Sequence, residues 1–237
     1  MRASILSLLL VVGVQPWTGE GHADQWAPPE VQTYLSDGGR ARITVTPREV
    51  TSPLAYFEER AAGPDSAGSR SDGDRSGAMA RLELRDDQGR WQTVWDRPLL
   101  NEVAPVNVLV ANDGRRVVTF DDWHLAGHGD NVVVIYDEAG RPMRSFRVPD
   151  LLPGYYVAAL PHSVSSIHWG GPHELDETGG RVILRIVIPS PDGLPLDPSF
   201  IDLPIDLATA RPEPAAGAQW GAARVAACRN VVAMRDG

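Results

Sequence analysis

The side chains that could do chemistry are concentrated in one short segment, Asp121–Asn131. It contains three carboxylates, two imidazoles (His124 and His128) and one tryptophan within eleven residues. Imidazole is the commonest ligand of transition metals, and a carboxylate can complete or orient a histidine site. This segment is therefore the first candidate for a metal or ligand site.

A second histidine-bearing segment, 162–173, follows about thirty residues later, and five of the six histidines fall between His124 and His173. If the two segments meet in space, they could hold a divalent cation such as Zn²⁺. The chain would then be a metal-dependent enzyme with a His/Asp site. The candidate metal ligands are Asp121, Asp122, His124, His128, His162, His168 and His173.

The spacing within the first segment favours a simpler interpretation. His124 and His128 would share a face only in a helix, and Gly127 and Gly129 disfavour a helix. The alternative is a loop whose Asp and His side chains cap turns. Acidic turns such as Asp86–Gly89 could bind Ca²⁺ through hard oxygen ligands, but hairpin turns use the same residue types for backbone reasons.

Four tryptophans are candidates for ligand contact. Trp91 and Trp95 would lie on one face of a regular strand, whereas Trp123 and Trp169 sit within or beside the two histidine-bearing segments. Tryptophan on a sheet face or in a loop is a common platform for a sugar or peptide. The alternative is that Trp91, Trp95, Trp123 and Trp169 pack in the core.

The N-terminus and the charge restrict location and partners. Residues 1–23 have the charged start, apolar run and small-residue cleavage site of a secretory signal peptide, which predicts a soluble secreted or periplasmic protein. The net charge is −9 with or without this segment. That balance disfavours nucleic acid and anionic lipid surfaces, and no later apolar run predicts stable membrane insertion. Cys228 is the only cysteine, so it is either a buried thiol or an intermolecular partner.

The elements that would position these residues are mostly strands. Residues 24–39 have the Pro and Gly content of an irregular lead-in, 40–46 alternate like a half-buried strand, and 61–78 predict a mobile loop. From Met79, strand–turn–strand patterns repeat, and Asn112-Asp113-Gly114 is a strong hairpin signal.

Further along the chain, Val132–Ile135 is apolar throughout, which predicts a central strand buried on both faces. A short helix is expected at about 150–160, and strands at 182–188 and 200–207. Residues 24–210 then form a single β-rich domain, and the Ala-rich tail 211–237 is either a docked helix or partly disordered.

The run Asp113–Trp123, followed by Gly129–Asp137 and Gly140, resembles a family of uncharacterised exported bacterial proteins. It also resembles, more loosely, one blade of a β-propeller. The resemblance covers about residues 80–170 and implies no known reaction.

These observations predict an all-β fold, mainly an antiparallel meander arranged as a sandwich or incomplete propeller. They favour a non-enzymatic binding module of the cell envelope or secreted space, with a glycan, peptide or protein as its partner. The alternatives are the metal-dependent enzyme and a purely structural protein.

Overall fold

The fold is built mainly from antiparallel strands, as the sequence predicts. A computed structural model of the protein describes residues 29–50, 56, 77–163, 165–190 and 197–236. The predicted signal peptide, 1–23, and residues 61–76 of the predicted mobile loop lie outside the described residues. In the described parts of the chain, no helix is long and apolar enough to cross a membrane.

Three four-stranded sheets follow one another along the chain, each pairing its strands in sequence order. Sheet 1 contains β1 (Gln32–Leu35), β2 (Ala41–Thr46), β3 (Met79–Arg85) and β4 (Trp91–Pro98). Sheet 2 contains β5 (Asn107–Val110), β6 (Val117–Phe120), β7 (Val133–Tyr136) and β8 (Pro142–Phe146). Sheet 3 contains β9 (Glu174–Asp176), β10 (Arg181–Val187), β11 (Phe200–Asp206) and β12 (Arg211–Pro212).

In the continuous described stretches of the chain, the sheets are accompanied by the helices α1 (Val148–Leu151), α2 (Gly154–Ala159) and α3 (Ala218–Asp236). The short helix predicted at 150–160 is thus two helices, because Pro153 interrupts the run and takes an extended conformation. The tail is a docked helix. Trp220, Ala223, Ala227 and Asn230 form its buried stripe, and Asn230 donates to the Ala159 carbonyl of α2 at 2.8 Å.

Sheet 2 lies between two hydrophobic cores, so every residue of β6 and β7 is buried. One face packs with sheet 1, where Val134 and Tyr136 join Leu82 and Trp95. The other face packs with sheet 3 and the helices, where Ile135 joins the second core. Burial on both faces explains the continuous apolar run Val132–Ile135, as predicted.

The hairpins between the third and fourth strands of sheets 1 and 2 share one device. Each begins with an aspartate, Asp86 or Asp137, whose carboxylate accepts backbone N–H bonds from within its own turn, and each contains a glycine at positive φ. These hydrogen bonds help to hold the pKa of both carboxyls below the ordinary value. The acidic turn Asp86–Gly89 therefore serves the backbone.

Two segments differ from their predictions. The lead-in 24–39 contains strand β1, in which Thr33 and Leu35 alternate with Gln32 and Tyr34 and pair with β2. Ala78, at the end of the predicted mobile loop, is buried and exchanges backbone hydrogen bonds with the 99–101 segment. Tertiary pairing orders both places despite their Pro- and Gly-rich surroundings. Cys228 is exposed, not buried.

Candidate functional site

The Asp121–Asn131 segment connects β6 to β7, and its first carboxylate holds the loop together. Asp121 has φ 54°, and its Oδ1 accepts the Gly127 N–H at 2.6 Å and the Trp169 Nε1–H at 3.0 Å. The buried side chain of Asn101 donates to the Asp121 carbonyl at 2.7 Å. The unusual backbone of Asp121 is therefore held by a contact within its own loop and by contacts from two other segments.

The environment of Asp121 disfavours its charged form. Burial raises the pKa of this carboxyl to about 6, against the opposing effect of the hydrogen bonds from Gly127 and Trp169, and neighbouring Asp122 raises it further. A carboxyl that titrates near pH 6 can suit acid–base chemistry. Here its oxygens already accept two hydrogen bonds that fix the loop.

Asp122 joins two segments of the chain. The residue is 8 % exposed, and its carboxylate accepts backbone N–H bonds from Glu102 at 2.7 Å and from Val103 and Ala104 at 3.3 Å. It also accepts the N–H of Trp123 at 3.0 Å. Burial raises its pKa, and these bonds lower it. One carboxylate thus satisfies four backbone donors and fastens 102–104 to the start of the loop.

His173 is enclosed between aromatic rings. Its ring stacks on Phe120 at 4.5 Å and on Trp169 at 4.8 Å, and its Nδ1 accepts the Arg185 N–H at 3.0 Å. Burial lowers the pKa of this imidazole to about 4, so it is neutral at pH 7. His173 is a packing residue in this arrangement.

The two histidine-bearing segments meet, but within their described residues they do not bring three candidate metal ligands together. The Ile167 N–H donates to the Ala126 carbonyl at 2.8 Å, and Trp169 reaches Asp121. His124 instead packs edge-on against Trp123, and Nδ1 of His162 lies 2.6 Å from the Leu160 carbonyl. Among the residues that the structure describes, no group of three His, Cys, Asp or Glu could hold a metal ion. The predicted set, which also includes Asp122, His128, His168 and His173, is not assembled.

Two of the four candidate tryptophans, Trp95 and Trp169, are core residues, 6 % and 2 % exposed. The expectation that Trp91 shares a face with Trp95 is wrong, because a β-bulge shifts the register between them. Trp91 lies on the outer face of sheet 1, with the guanidinium of Arg42 4.4 Å from its ring centroid. Sequence spacing cannot show a bulge, which adds one residue to a strand without changing its composition.

Trp123 borders an open cleft between sheet 1 and the segment before β5. The cleft has a volume of about 200 Å³ and is lined by Pro29, Glu30, Gln32, Tyr34, Ala104, Pro105, Val106 and Trp123. We call it the Tyr34–Trp123 cleft. Tyr34 is half-buried and its hydroxyl donates to Gln32 Oε1 at 2.6 Å. Burial raises the tyrosine pKa above its ordinary value.

The fold builds this cleft from two sides. Gln32 and Tyr34 lie on the inner face of edge strand β1, opposite the buried residues Val45 and Ile43. On the other side, the Trp123 N–H donates to the Ala104 carbonyl at 2.9 Å, and the Ala104 N–H donates to Asp122. The hydrogen bonds that Asp122 accepts from residues 102–104 therefore help to hold Trp123 beside Pro105.

The sheet 1 side of the cleft was not predicted from the sequence. Tyr34 and Gln32 belong to the stretch predicted as irregular, although Val31 to Leu35 alternates β-branched and apolar residues with polar or aromatic ones. The Asp37–Arg40 turn that follows, with Gly39 at φ 64°, completes a hairpin signal. Together, the alternation and the turn indicate strand β1.

Neither a protein-family model nor a curated protein matches this chain.

Proposed function

We propose that this chain is an exported, soluble, non-enzymatic binding protein that holds its ligand in the Tyr34–Trp123 cleft. The observation that supports this proposal is that two half-buried aromatic residues line one cleft beside an edge strand. Val106, which lines the cleft and is 55 % exposed, adds an exposed apolar side chain to this surface. Aromatic residues with exposed apolar neighbours are typical of a surface that binds a sugar, a peptide or a protein segment.

The titratable residues nearby favour binding over catalysis. The carboxylates of Asp121 and Asp122 accept structural hydrogen bonds, and His173 is enclosed by Phe120 and Trp169. The net charge of −9 disfavours nucleic acid as the ligand. A glycan, a peptide or a segment of another protein is the class of partner that suits the cleft.

Intrinsic fluorescence tests the binding proposal. Wild-type protein, Trp123→Leu and Trp91→Leu are titrated with peptidoglycan fragments, oligosaccharides and short peptides. We expect at least one ligand to change the emission of wild type and Trp91→Leu, and to have no effect on Trp123→Leu. Trp91 is a matched control because it lies on the outer face of sheet 1. A ligand response that persists without Trp123, or no response to any ligand class, would contradict the proposal.

Export has its own test. The full chain is expressed in a bacterium, the compartments are separated, and the intact mass of the protein is measured. We expect a mass that begins at Asp24, in the periplasm or medium. Full-length protein confined to the cytoplasm would overturn this part of the proposal and leave the binding result intact.

A further inference from the structure

We propose that the Tyr34–Trp123 cleft recognises a substituted ammonium group. This inference rests on the proposed binding function and specifies its ligand. Two aromatic residues line the cleft, and Glu30 is the one formally charged residue among the described residues that line it. The negative face of an aromatic ring attracts a cation, and a carboxylate adds a counter-charge.

The surroundings favour a cation as well. Arg48, the basic side chain that packs near Trp123 through Tyr56, is ion-paired with Glu102 at 3.1 Å. Its charge is therefore balanced locally. The protein as a whole carries −9, which raises the concentration of cations near its surface.

The same chemistry already occurs elsewhere in the protein. The Arg42 guanidinium lies 4.4 Å from the ring centroid of Trp91 and pairs with the Glu83 carboxylate at 2.6 Å. A tryptophan and a glutamate there hold one internal cation. In the cleft, Trp123 and Glu30 are the corresponding residue types, and the cation would come from the ligand.

The size of the cleft indicates a single group. Its volume of about 200 Å³ is below the roughly 300–1,000 Å³ of pockets that enclose a drug-sized ligand. The cleft suits one ammonium head group, either from a small quaternary amine or from a lysine side chain of a peptide. These sources share the same recognition chemistry and can be separated by experiment.

The test is a set of titrations followed by calorimetry and tryptophan fluorescence. The probes are choline, its neutral isostere 3,3-dimethylbutan-1-ol, and Nα-acetyl-lysine amide, which keeps its side-chain ammonium group. We expect one of the two ammonium probes to bind at least about tenfold more tightly than the neutral isostere, because only a cation gains from the ring and the carboxylate. Tighter binding of choline points to a quaternary amine, and tighter binding of the lysine amide points to a peptide.

Variants identify the site. Glu30→Gln is expected to weaken binding of the preferred ammonium probe roughly 3- to 10-fold, and Trp123→Leu by more than about tenfold. Glu138→Gln removes the same charge from an exposed hairpin position and is expected to leave binding unchanged. Because Glu30 is exposed, its replacement does not threaten folding.

Three outcomes overturn the inference: neither ammonium probe binds more tightly than the neutral isostere, neither ammonium probe binds at all, or Glu30→Gln and Glu138→Gln cause equal losses of binding. If a neutral sugar or neutral peptide still binds in a Trp123-dependent manner, the proposed function stands and only the ammonium specificity fails. If nothing binds through Trp123, both fail.

Discussion

The Asp121–Asn131 loop and the Tyr34–Trp123 cleft lie side by side and share Trp123, yet they use their side chains in opposite ways. The loop is rich in carboxylates and imidazoles, and its best-placed carboxylates, Asp121 and Asp122, accept backbone and indole hydrogen bonds. The cleft has little titratable chemistry and is open to a ligand. A cluster of carboxylates and imidazoles can therefore serve to stabilise the conformation of a loop, while the proposed binding surface lies beside it.

The difference has a backbone cause. Asp121 and His124 take positive φ, and so do Gly127 and Gly129. A loop with several left-handed residues needs local acceptors to keep its conformation. Aspartate supplies them, which explains why acidic residues accumulate there without forming a metal site among the described residues.

The largest expected effect comes from removing the Asp122 carboxylate, which joins residues 102–104 to the start of the loop. Asp122→Ala removes the acceptor of the Glu102, Val103 and Ala104 N–H groups and should lower the free energy of unfolding by about 3–4 kcal/mol. It should also weaken ligand binding, because Ala104 and Pro105 lose their anchor. Urea denaturation measures the first effect. Asp130→Ala, at an exposed position of the same loop, is the control. Equal losses of stability in the two variants would show that Asp122 has no special role in joining residues 102–104 to the loop.

A second test uses pH. Asp121 has a pKa of about 6 in the folded protein, above its ordinary value of 3.8. Its contribution to stability is therefore present below pH 3.8 and is lost as pH rises through 6. Asp121→Asn does not titrate, so its stability relative to wild type should rise by about 2–3 kcal/mol between pH 4 and pH 8.

His173→Phe provides a control of opposite sign for this pH test. The pKa of His173 falls from 6.5 to about 4 on folding, so the wild type loses stability as pH falls from 6.5 towards 4. The variant's stability relative to wild type should rise as pH falls. Thermal melts across this range measure both. If the two differences have the same sign, the assigned environments of Asp121 and His173 are wrong.

The tightness of the loop can be tested at its glycines. A Cβ on Gly127 would lie 2.6 Å from the Ile167 carbonyl oxygen and 2.7 Å from its Cβ, at φ 74°. Gly127→Ala should therefore cost about 2 kcal/mol or more in stability. Gly129→Ala has a similar φ with open space around it, and should cost only about 1 kcal/mol. Equal costs would show that contact with the 167–169 segment does not constrain the loop.

The smallest stability effect is expected in the cleft. Trp123→Phe keeps an aromatic ring at a half-buried position and should change the free energy of unfolding by less than about 1 kcal/mol. Trp169→Phe, in the core, loses the hydrogen bond to Asp121 and should cost about 2 kcal/mol. Chemical denaturation of both variants measures this difference in the free energy of unfolding. A larger loss at Trp123 would place it among the structural residues.

Most of the β architecture could be predicted from sequence, whereas the site could be predicted only in part. The alternation in 40–46, the turn at Asn112–Gly114 and the apolar run Val132–Ile135 each reflect a local period or turn preference. The expectation that Trp91 and Trp95 share a face failed because of the bulge. The lead-in was predicted as irregular because its Pro and Gly content outweighed the short alternation that marks β1. Trp123 was predicted as a ligand-contacting residue, but its neighbours Tyr34 and Glu30 were not.

Local sequence patterns account for the all-β antiparallel fold, the turns at the Asp- and Gly-containing positions and the strand buried on both faces, and composition accounts for the strongly acidic net charge. Tertiary contacts set which aromatic residues lie in the core, which line a cleft, and whether the two histidine-bearing segments meet. Those outcomes depend on contacts between residues far apart in the chain, such as Asp122 with Glu102 and Trp169 with Asp121. No local period encodes such contacts, because they arise only when separate sheets and loops pack together.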